Sequence, residues 1–497
     1  MSNETNQALP PAAPKSSGFL TIFPSIMLPM FLAVVDQTIV ATALPAIAAA
    51  TGQVERASWI IVSYLIAATI AAPLYGRLGD AFGRRRMMFT ALAIIIVASL
   101  LCAVAPTIEL LTLARVLQGF GGGGLMTTSQ AMIGEAVPPR ERARYQGYLA
   151  AIAVSANTFG PVAGGYLTEH FGWQSIFIVN IPIALVAVAL TWRLRSPPVE
   201  RLPWKADPGG LVLFVILVVT TLLALEQVQH VEIGALPLGA GLFAISLLAL
   251  AWLIHHENRA PSPLIPLKLL RLPAIWRSDA MAACHGGALV ALITFLPVYL
   301  EAVRGASPST TGLLLVPLTI GIGTGSLVVG RLVSKTGLTT IFPIVGMALG
   351  TVCFVTLAFF ASVMSMVELG ILLLLIGAFM GTVMGVVQVT VQSVAGQARL
   401  GEAAASVQFS RSIGAAFGTA LVATALFATL AITSPDAAKA FVGMVQHAKH
   451  VGPALSPIQE AAIQADIAGA FRIAFLTISL FTAAGFFLAL TNPLRRI

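Results

Sequence analysis

Apolar positions run along this chain in long blocks, and polar ones are gathered into short segments between them. A bilayer core about 30 Å thick takes about twenty apolar residues per helix. On that measure the blocks predict spans over 19–48, 57–75, 87–107, 109–136, 142–169, 173–195, 208–228 and 234–256. Six more follow over 275–301, 307–334, 339–361, 366–394, 402–430 and 471–491, so the reading is an all-α membrane protein of fourteen helices. The first block, Phe19 to Ala50, is too long for the apolar core of a secretory signal, and Lys15 is the only basic residue before it. It is expected to stay as a helix behind a polar cytoplasmic tail over 1–18.

Composition adds that most of the surface must face lipid. Hydrophobic residues make up 57% of the 497 and charged ones 10%, with a mean hydropathy of +0.91. A soluble domain carries about 45–50% apolar and about 25% charged residues, so this chain could not keep a water-facing surface in solution. The net charge of +8 would suit nucleic acid only if it were patched, and instead it sorts by membrane side. With the N-terminus inside, 21 of the 28 Lys and Arg fall on inner segments and four on outer ones: Arg56, Arg304, Lys439 and Lys449. Arg115, Arg411 and Arg472 lie in or at the edge of helices. An odd number of helices would put Arg495 and Arg496 outside, so the asymmetry requires an even count and cytoplasmic termini. Cys102, Cys284 and Cys353 sit far apart in apolar runs and imply neither a disulfide framework nor a metal site. No cofactor is expected.

The chain also repeats itself. GRLGDAFG (76–83) is echoed by GRLVSKTG (330–337), an offset of 254, and Gly119 and Gln130 by Gly377 and Gln388, an offset of 258. GPVAGG (160–165) has a small-residue counterpart in GAAFGTA (414–420). Parallel six-helix halves are one transporter plan, and an offset near 255 exceeds such a half by two spans. The layout is then a tail (1–18), a six-helix bundle (19–195), a linker with two additional helices (196–256) and a second six-helix bundle (257–497). The last includes an extracytoplasmic loop over 431–470.

Five segments occur in a telling order: AVVDQTIVATALP (33–45), GRLGDAFGRRR (76–86), LARVLQGFGGG (113–123), NTFGPVAGG (157–165) and WQSIFIVNIP (173–182). Together they resemble the major facilitator superfamily, specifically its fourteen-helix drug:proton antiporters, and the resemblance runs from residue 20 to 491. It implies the major-facilitator fold in a 6+2+6 arrangement, in the cytoplasmic (inner) membrane of a bacterium. It implies Asp36 in proton coupling or cation recognition and Arg115 in proton coupling. It also implies that the 76–86 segment latches the halves when the cytoplasmic side is closed, and Arg411 matches a recurrent basic position of the thirteenth helix.

The residues carry their own physical reading beside that resemblance. Asp36 lies midway along an apolar helix, where an ionisable group must be paired, protonated or hydrated; proton coupling and a packing hydrogen bond both meet that need. Arg115 cannot lose its charge and requires acceptors close by, Asp36 being a candidate, although anchoring of the bundle would also account for it. In the 76–86 segment Gly76, Gly79 and Gly83 permit a tight turn. Asp80 can cap the third helix or accept from Arg side chains, Arg142 and Arg144 being candidate partners, while Arg84 to Arg86 give a cytoplasmic anchor. Gly160, Pro161, Gly164 and Gly165 give the fifth helix a close and bendable face, which would suit a contact between halves or plain packing.

The second half offers His285, Gln388, Gln392, Gln408 and Arg411 inside predicted spans, and no mid-membrane carboxylate, which counts against dicationic substrates. The stretch SPIQEAAIQADIAGAFR in the long outer loop predicts a short amphipathic hairpin or surface helix. It could meet a periplasmic adaptor, gate the outer mouth or simply connect. No phosphate-binding loop of the ATPase type occurs. The expected function is export of amphipathic organic compounds in exchange for protons, the partners being a small-molecule substrate, protons and the lipid bilayer. A dedicated metabolite, siderophore or antibiotic exporter is the alternative. A membrane-embedded enzyme would need a cluster of His, Asp or Glu, or a nucleophile with its base, at one face; His255–His256 does not make one.

Overall fold

The computed structural model describes residues 19–53, 56–194, 205–229, 236–261, 263–265, 267–434, 437–438, 441 and 457–497. The predicted tail and much of the predicted outer loop, with Lys439 and Lys449, lie outside them. The described residues fold into helices α1 (Phe19–Thr51), α2 (Trp59–Phe82), α3 (Arg84–Ala103), α4 (Ile108–Ala136), α5 (Pro139–Phe171), α6 (Ser175–Ile178), α7 (Asn180–Trp192) and α8 (Pro208–Gln229). There follow α9 (Leu236–Glu257), α10 (Leu267–Leu270), α11 (Pro273–Ala302), α12 (Pro308–Thr336), α13 (Ile341–Phe360), α14 (Met366–Ala395), α15 (Leu400–Thr433) and α16 (Pro457–Thr491).

Short polar residues set several of the starts. Thr107 accepts from the Leu110 amide to begin α4, and Ser365 with Glu368 forms a reciprocal capping box at α14. Twelve helices, counting α6 and α7 together, are long and apolar enough to cross a membrane, and the chain is a multi-pass membrane protein. The apolar blocks predict fourteen such spans; α4 and α5 are the two that fall short. α4 packs against α1, α2, α3 and α15 and is buried along most of its length, and α5 packs against α1, α12 and α14 while exposing Phe159, Val162 and Tyr166. At Gly119 of α4 a Cβ would come within 2.4 Å of the Tyr64 carbonyl oxygen, which is the contact distance a glycine permits.

Two sets of helices repeat one packing pattern. α2 packs on α4, α3 on α4 and α7, and α1 on α4, α5 and α7; in the same way α12 packs on α14, α13 on α14 and α16, and α11 on α14, α15 and α16. The sets meet where α5 lies on α12 and where α15 lies on α2 and α4. The α8–α9 hairpin leans on this seam: Phe214 and Val218 are buried beside Ile70 and Phe409. Its other face presents Leu247, Leu248 and Trp252, as a lipid-facing surface does.

Two boundaries differ from the sequence reading. α2 continues through GRLGDAF to Phe82, and the turn is left to Gly83 alone, whose φ of +101° favours glycine. The last helix begins at Pro457, so most of the stretch read as a hairpin or surface helix is the start of one continuous 35-residue helix.

Candidate functional site

The first candidate site is an ion pair sealed inside the first set of helices. Asp36 on α1 and Arg115 on α4 both have no exposed surface. Arg115 Nη1 donates to Asp36 Oδ2 at 3.3 Å and to Gln118 Oε1 at 2.8 Å, and its Nε donates to the Ile60 carbonyl at 3.3 Å. Asp36 Oδ1 accepts from Gln118 Nε2 at 2.7 Å and from Asn180 Nδ2 at 2.6 Å. The guanidinium also lies over the Tyr64 ring, 4.3 Å from its centre, and Tyr64 anchors its hydroxyl on the Ala33 carbonyl. A cation over a desolvated aromatic face gains about 2 kcal/mol. Gln118, Asn180 and Tyr64 were not among the expected site residues. Gln118 follows Arg115 by one helical turn, and Asn180 opens α7 where α6 breaks off, so both lay inside the recognised segments without marking themselves.

The second candidate site joins the two sets of helices at the seam of α2 and α15. Asp80 caps α15 rather than the third helix: its Oδ1 accepts from the Gly401 amide and its Oδ2 from the Glu402 amide, both at 2.9 Å. A carboxylate there satisfies orphan donors and faces the positive end of the helix. Arg84 holds that carboxylate from behind, with Nη2 to Asp80 Oδ1 at 2.6 Å, and reaches Glu135 at 2.9 Å and the Gln397 carbonyl at 3.1 Å. Arg77 pairs with Glu402. The backbones touch: a Cβ on Gly76 would lie 2.5 Å from the Gly401 carbonyl oxygen, and one on Gly401 would lie 2.2 Å from that of Gly76. Gly79 has only ordinary contact distance around it.

One expectation is corrected by this geometry and two others are narrowed. Arg142 and Arg144 do not partner Asp80. Arg142 is buried and donates to the Val137 carbonyl at 3.0 Å, and Arg144 donates to the Tyr148 hydroxyl at 3.0 Å. Gly160 and Gly164 face α1 within their own set, where a Cβ would meet Thr38 Oγ1 and the Ile39 carbonyl, while Gly165 has open space beside it. Pro161 lies inside α5 on this stretch. The close contact of α5 across the seam falls instead at Gly147 against Ser326 and at Ala143 against Gly330. Finally, the second half does hold a buried carboxylate, near the start of α11 rather than midway along it. Asp279 on α11 is 6% exposed, accepts from Ser406 Oγ at 3.3 Å, and leaves Oδ2 without a partner among the described residues. Its neighbour Arg277 makes the position look like the charged edge of a span.

The remaining candidates are dispersed through the second set. Gln392 donates to the Gln130 carbonyl across the seam at 2.9 Å, whereas the buried Gln388 leaves its Nε2 unpartnered. Gln408 approaches the Met126 sulfur of α4 at 3.8 Å. His285 on α11 is bound through Nε2 to the Met380 carbonyl at 3.1 Å. Arg411 lies close enough to act on that imidazole electrostatically.

Comparison with known proteins places this geometry. The model of the Major Facilitator Superfamily matches residues 26–419. An uncharacterized MFS-type transporter of Mycobacterium tuberculosis (strain ATCC 25618 / H37Rv) is 34% identical over 401 residues, 80% of this chain and 58% of that relative. The multidrug transporter protein MdtP of Bacillus subtilis is 30% identical over 410 residues, 82% of this chain and 75% of its own length. Efflux pump FUS6 of Gibberella moniliformis is 33% identical over 342 residues, 66% of this chain and 60% of that relative. The matched part thus spans only 58% of the mycobacterial relative's length. Among solved structures, the human organic anion transporter MFSD10 superposes with a TM-score of 0.67 at 14% identity, covering 95% of this chain and 99% of that one. The proton:xylose symporter XylE gives a TM-score of 0.63 at 14% identity, covering 96% of each; likeness at this identity speaks to the fold alone.

Proposed function

The chain belongs to the Major Facilitator Superfamily, a transporter rather than an enzyme, and from that premise we propose that it exports amphipathic organic compounds in exchange for protons. The observation that carries the proposal is the sealed Asp36–Arg115 pair with Gln118 and Asn180 on the same carboxylate. Every polar partner of Asp36 is a donor to its ionised form, so a proton on Asp36 would weaken each of them and free Arg115 to seek other acceptors. Proton binding at this point would therefore repack α1 against α4 and α7. Relatives named multidrug transporter and efflux pump support the outward direction.

Alternating access would use the α2–α15 seam as its cytoplasmic latch, held by Asp80 on the α15 amides and broken when the halves rock apart. The proposal includes α4 and α5 as membrane-crossing helices, giving fourteen in a 6+2+6 arrangement of the drug:proton antiporter branch. Both termini are then cytoplasmic and the bilayer is a bacterial inner membrane. The stretch over 431–470 and an adaptor bound to it form no part of the mechanism proposed.

Everted membrane vesicles test the proposal. Of a panel of cationic, neutral and anionic amphipathic compounds, at least one should accumulate in vesicles carrying the protein under an acid-inside gradient, and an uncoupler should abolish the accumulation. Accumulation that survives the uncoupler would refute proton coupling. A dedicated exporter differs only in range, and transport of one member of the panel alone would select that reading.

A further inference from the structure

A second guanidinium stands on α15, partly exposed where Arg115 is sealed, and its surroundings are the reverse of those around Arg115. Arg411 stands about 17 Å along α15 from the latched end of that helix, at 1.5 Å per residue. Among the described residues no hydrogen bond, ion pair or ring contact engages it. A guanidinium has five N–H donors and keeps its charge; Arg411 is partly exposed, so its donors face accessible space and are open to acceptors brought from outside the chain.

The neighbour within its electrostatic reach is also short of a partner. His285 is 5% exposed and donates Nε2–H to the Met380 carbonyl, which leaves Nδ1 buried and unpaired. The α11 and α15 backbones are in contact here: a Cβ on Gly286 would come within 2.3 Å of the Arg411 carbonyl oxygen. One turn earlier on α15, Gln408 already touches α4, so this stretch of the helix lies on the seam between the two sets. Among the described residues no carboxylate pairs with the charge. Asp36 is committed to Arg115, and Asp279 accepts from Ser406 and makes no ion pair among the described residues.

What completes this place must bring oxygen acceptors and negative charge. We infer that Arg411 anchors an anionic group of the transported compound, a carboxylate or another oxyanion, while the lone pair of His285 Nδ1 is left to a donor such as a hydroxyl or water. A planar fork of donors matches such a group in two parallel hydrogen bonds. The inference rests on the proposed export function, places the compound between the two sets of helices, and narrows the substrate class to amphipathic acids.

The test is direct binding to the purified full chain in detergent, with no proton gradient present. Pyrenebutyrate and its methyl ester share an aromatic body and differ in charge, and energy transfer from tryptophan reports both. The acid should bind about tenfold more tightly than the ester. Arg411→Gln should weaken the acid by about tenfold and leave the ester within about twofold, with Arg411→Lys in between because it keeps the charge and loses the fork. Absence of acid binding, equal affinity for the two probes in the unaltered protein, or an Arg411→Gln variant that weakens both alike would overturn the inference. The unaltered protein alone decides the first two outcomes, so a misfolded variant does not block the test. Binding here and uncoupler-sensitive export in vesicles fail independently of one another.

Discussion

Arg115 and Arg411 are both obligate cations in the interior of long helices, and the chain treats them in opposite ways. Around Arg115 it supplies a carboxylate, an amide, a backbone carbonyl and an aromatic face. Around Arg411 it supplies none of these among the described residues. The first arrangement makes the charge state of Asp36 a structural variable, because the position of Arg115 depends on it. The second leaves a charge to be met from outside the chain. The repeated segments show the same asymmetry. Gly330 approaches the Ala143 carbonyl as closely as Gly76 approaches that of Gly401, 2.5 Å for a Cβ in each case. The position equivalent to Asp80, however, is Ser334, so the backbone approach is repeated and the carboxylate cap is not. The duplicated architecture therefore has a neutralised centre and an ionic latch on one side only.

This contrast can be broken at several points, with falling effect. Arg115→Gln should act most strongly, leaving Asp36 buried without its cation at a cost of about 3–5 kcal/mol. Thermal unfolding in detergent should show a lowered midpoint, and adding Asp36→Asn should restore at least half of the loss. If the double variant is no more stable than the single one, the pair is not coupled in this way. Gly76→Leu comes next. Its side chain would overlap the Gly401 backbone, and spin labels on the cytoplasmic ends of α2 and α15 should report a wider separation as the main population. Asp80→Asn keeps the shape and removes the charge from the α15 cap and from Arg84, worth about 1–2 kcal/mol. The same labels should then show a shift of about tenfold toward the open form, and an unchanged distance distribution would remove Asp80 from the latch. Smallest is a pair on α5: Gly160→Ala should cost about 1 kcal/mol, the low end for overpacking, because its nearest contact is the end of the Thr38 side chain, whereas Gly165→Ala should leave the unfolding midpoint where it was.

How far the sequence revealed all this depended on whether a residue's need was visible on its own. Asp36 and Arg115 announce themselves because an ionisable group in an apolar run must have a partner. Gln118 and Asn180 do not, since an amide is unremarkable until it is known to meet a carboxylate 82 or 144 residues away. Asp80 was visible as a candidate, but its true partners are two backbone amides of α15, which have no side-chain signature. The helices followed from apolar length wherever lipid is the neighbour. That rule counted α4 and α5 among the fourteen although both fall short of the other twelve in apolar character, and it hid Asp279, which reads as a boundary charge beside Arg277. Gly160 and Gly164 were legible as a close-packing pair, yet only the tertiary arrangement shows that α1, not the opposite half, is what they approach.

The coupling role of Asp36 is the centre of the account, and proton release measures it most directly. Purified protein in a weakly buffered solution, given a saturating amount of a compound found to be exported in vesicles, should release protons as the compound binds. Asp36→Asn protein, monodisperse and still able to bind the compound, should release none. Equal proton release from both proteins would contradict the assignment of Asp36 as the coupling carboxylate.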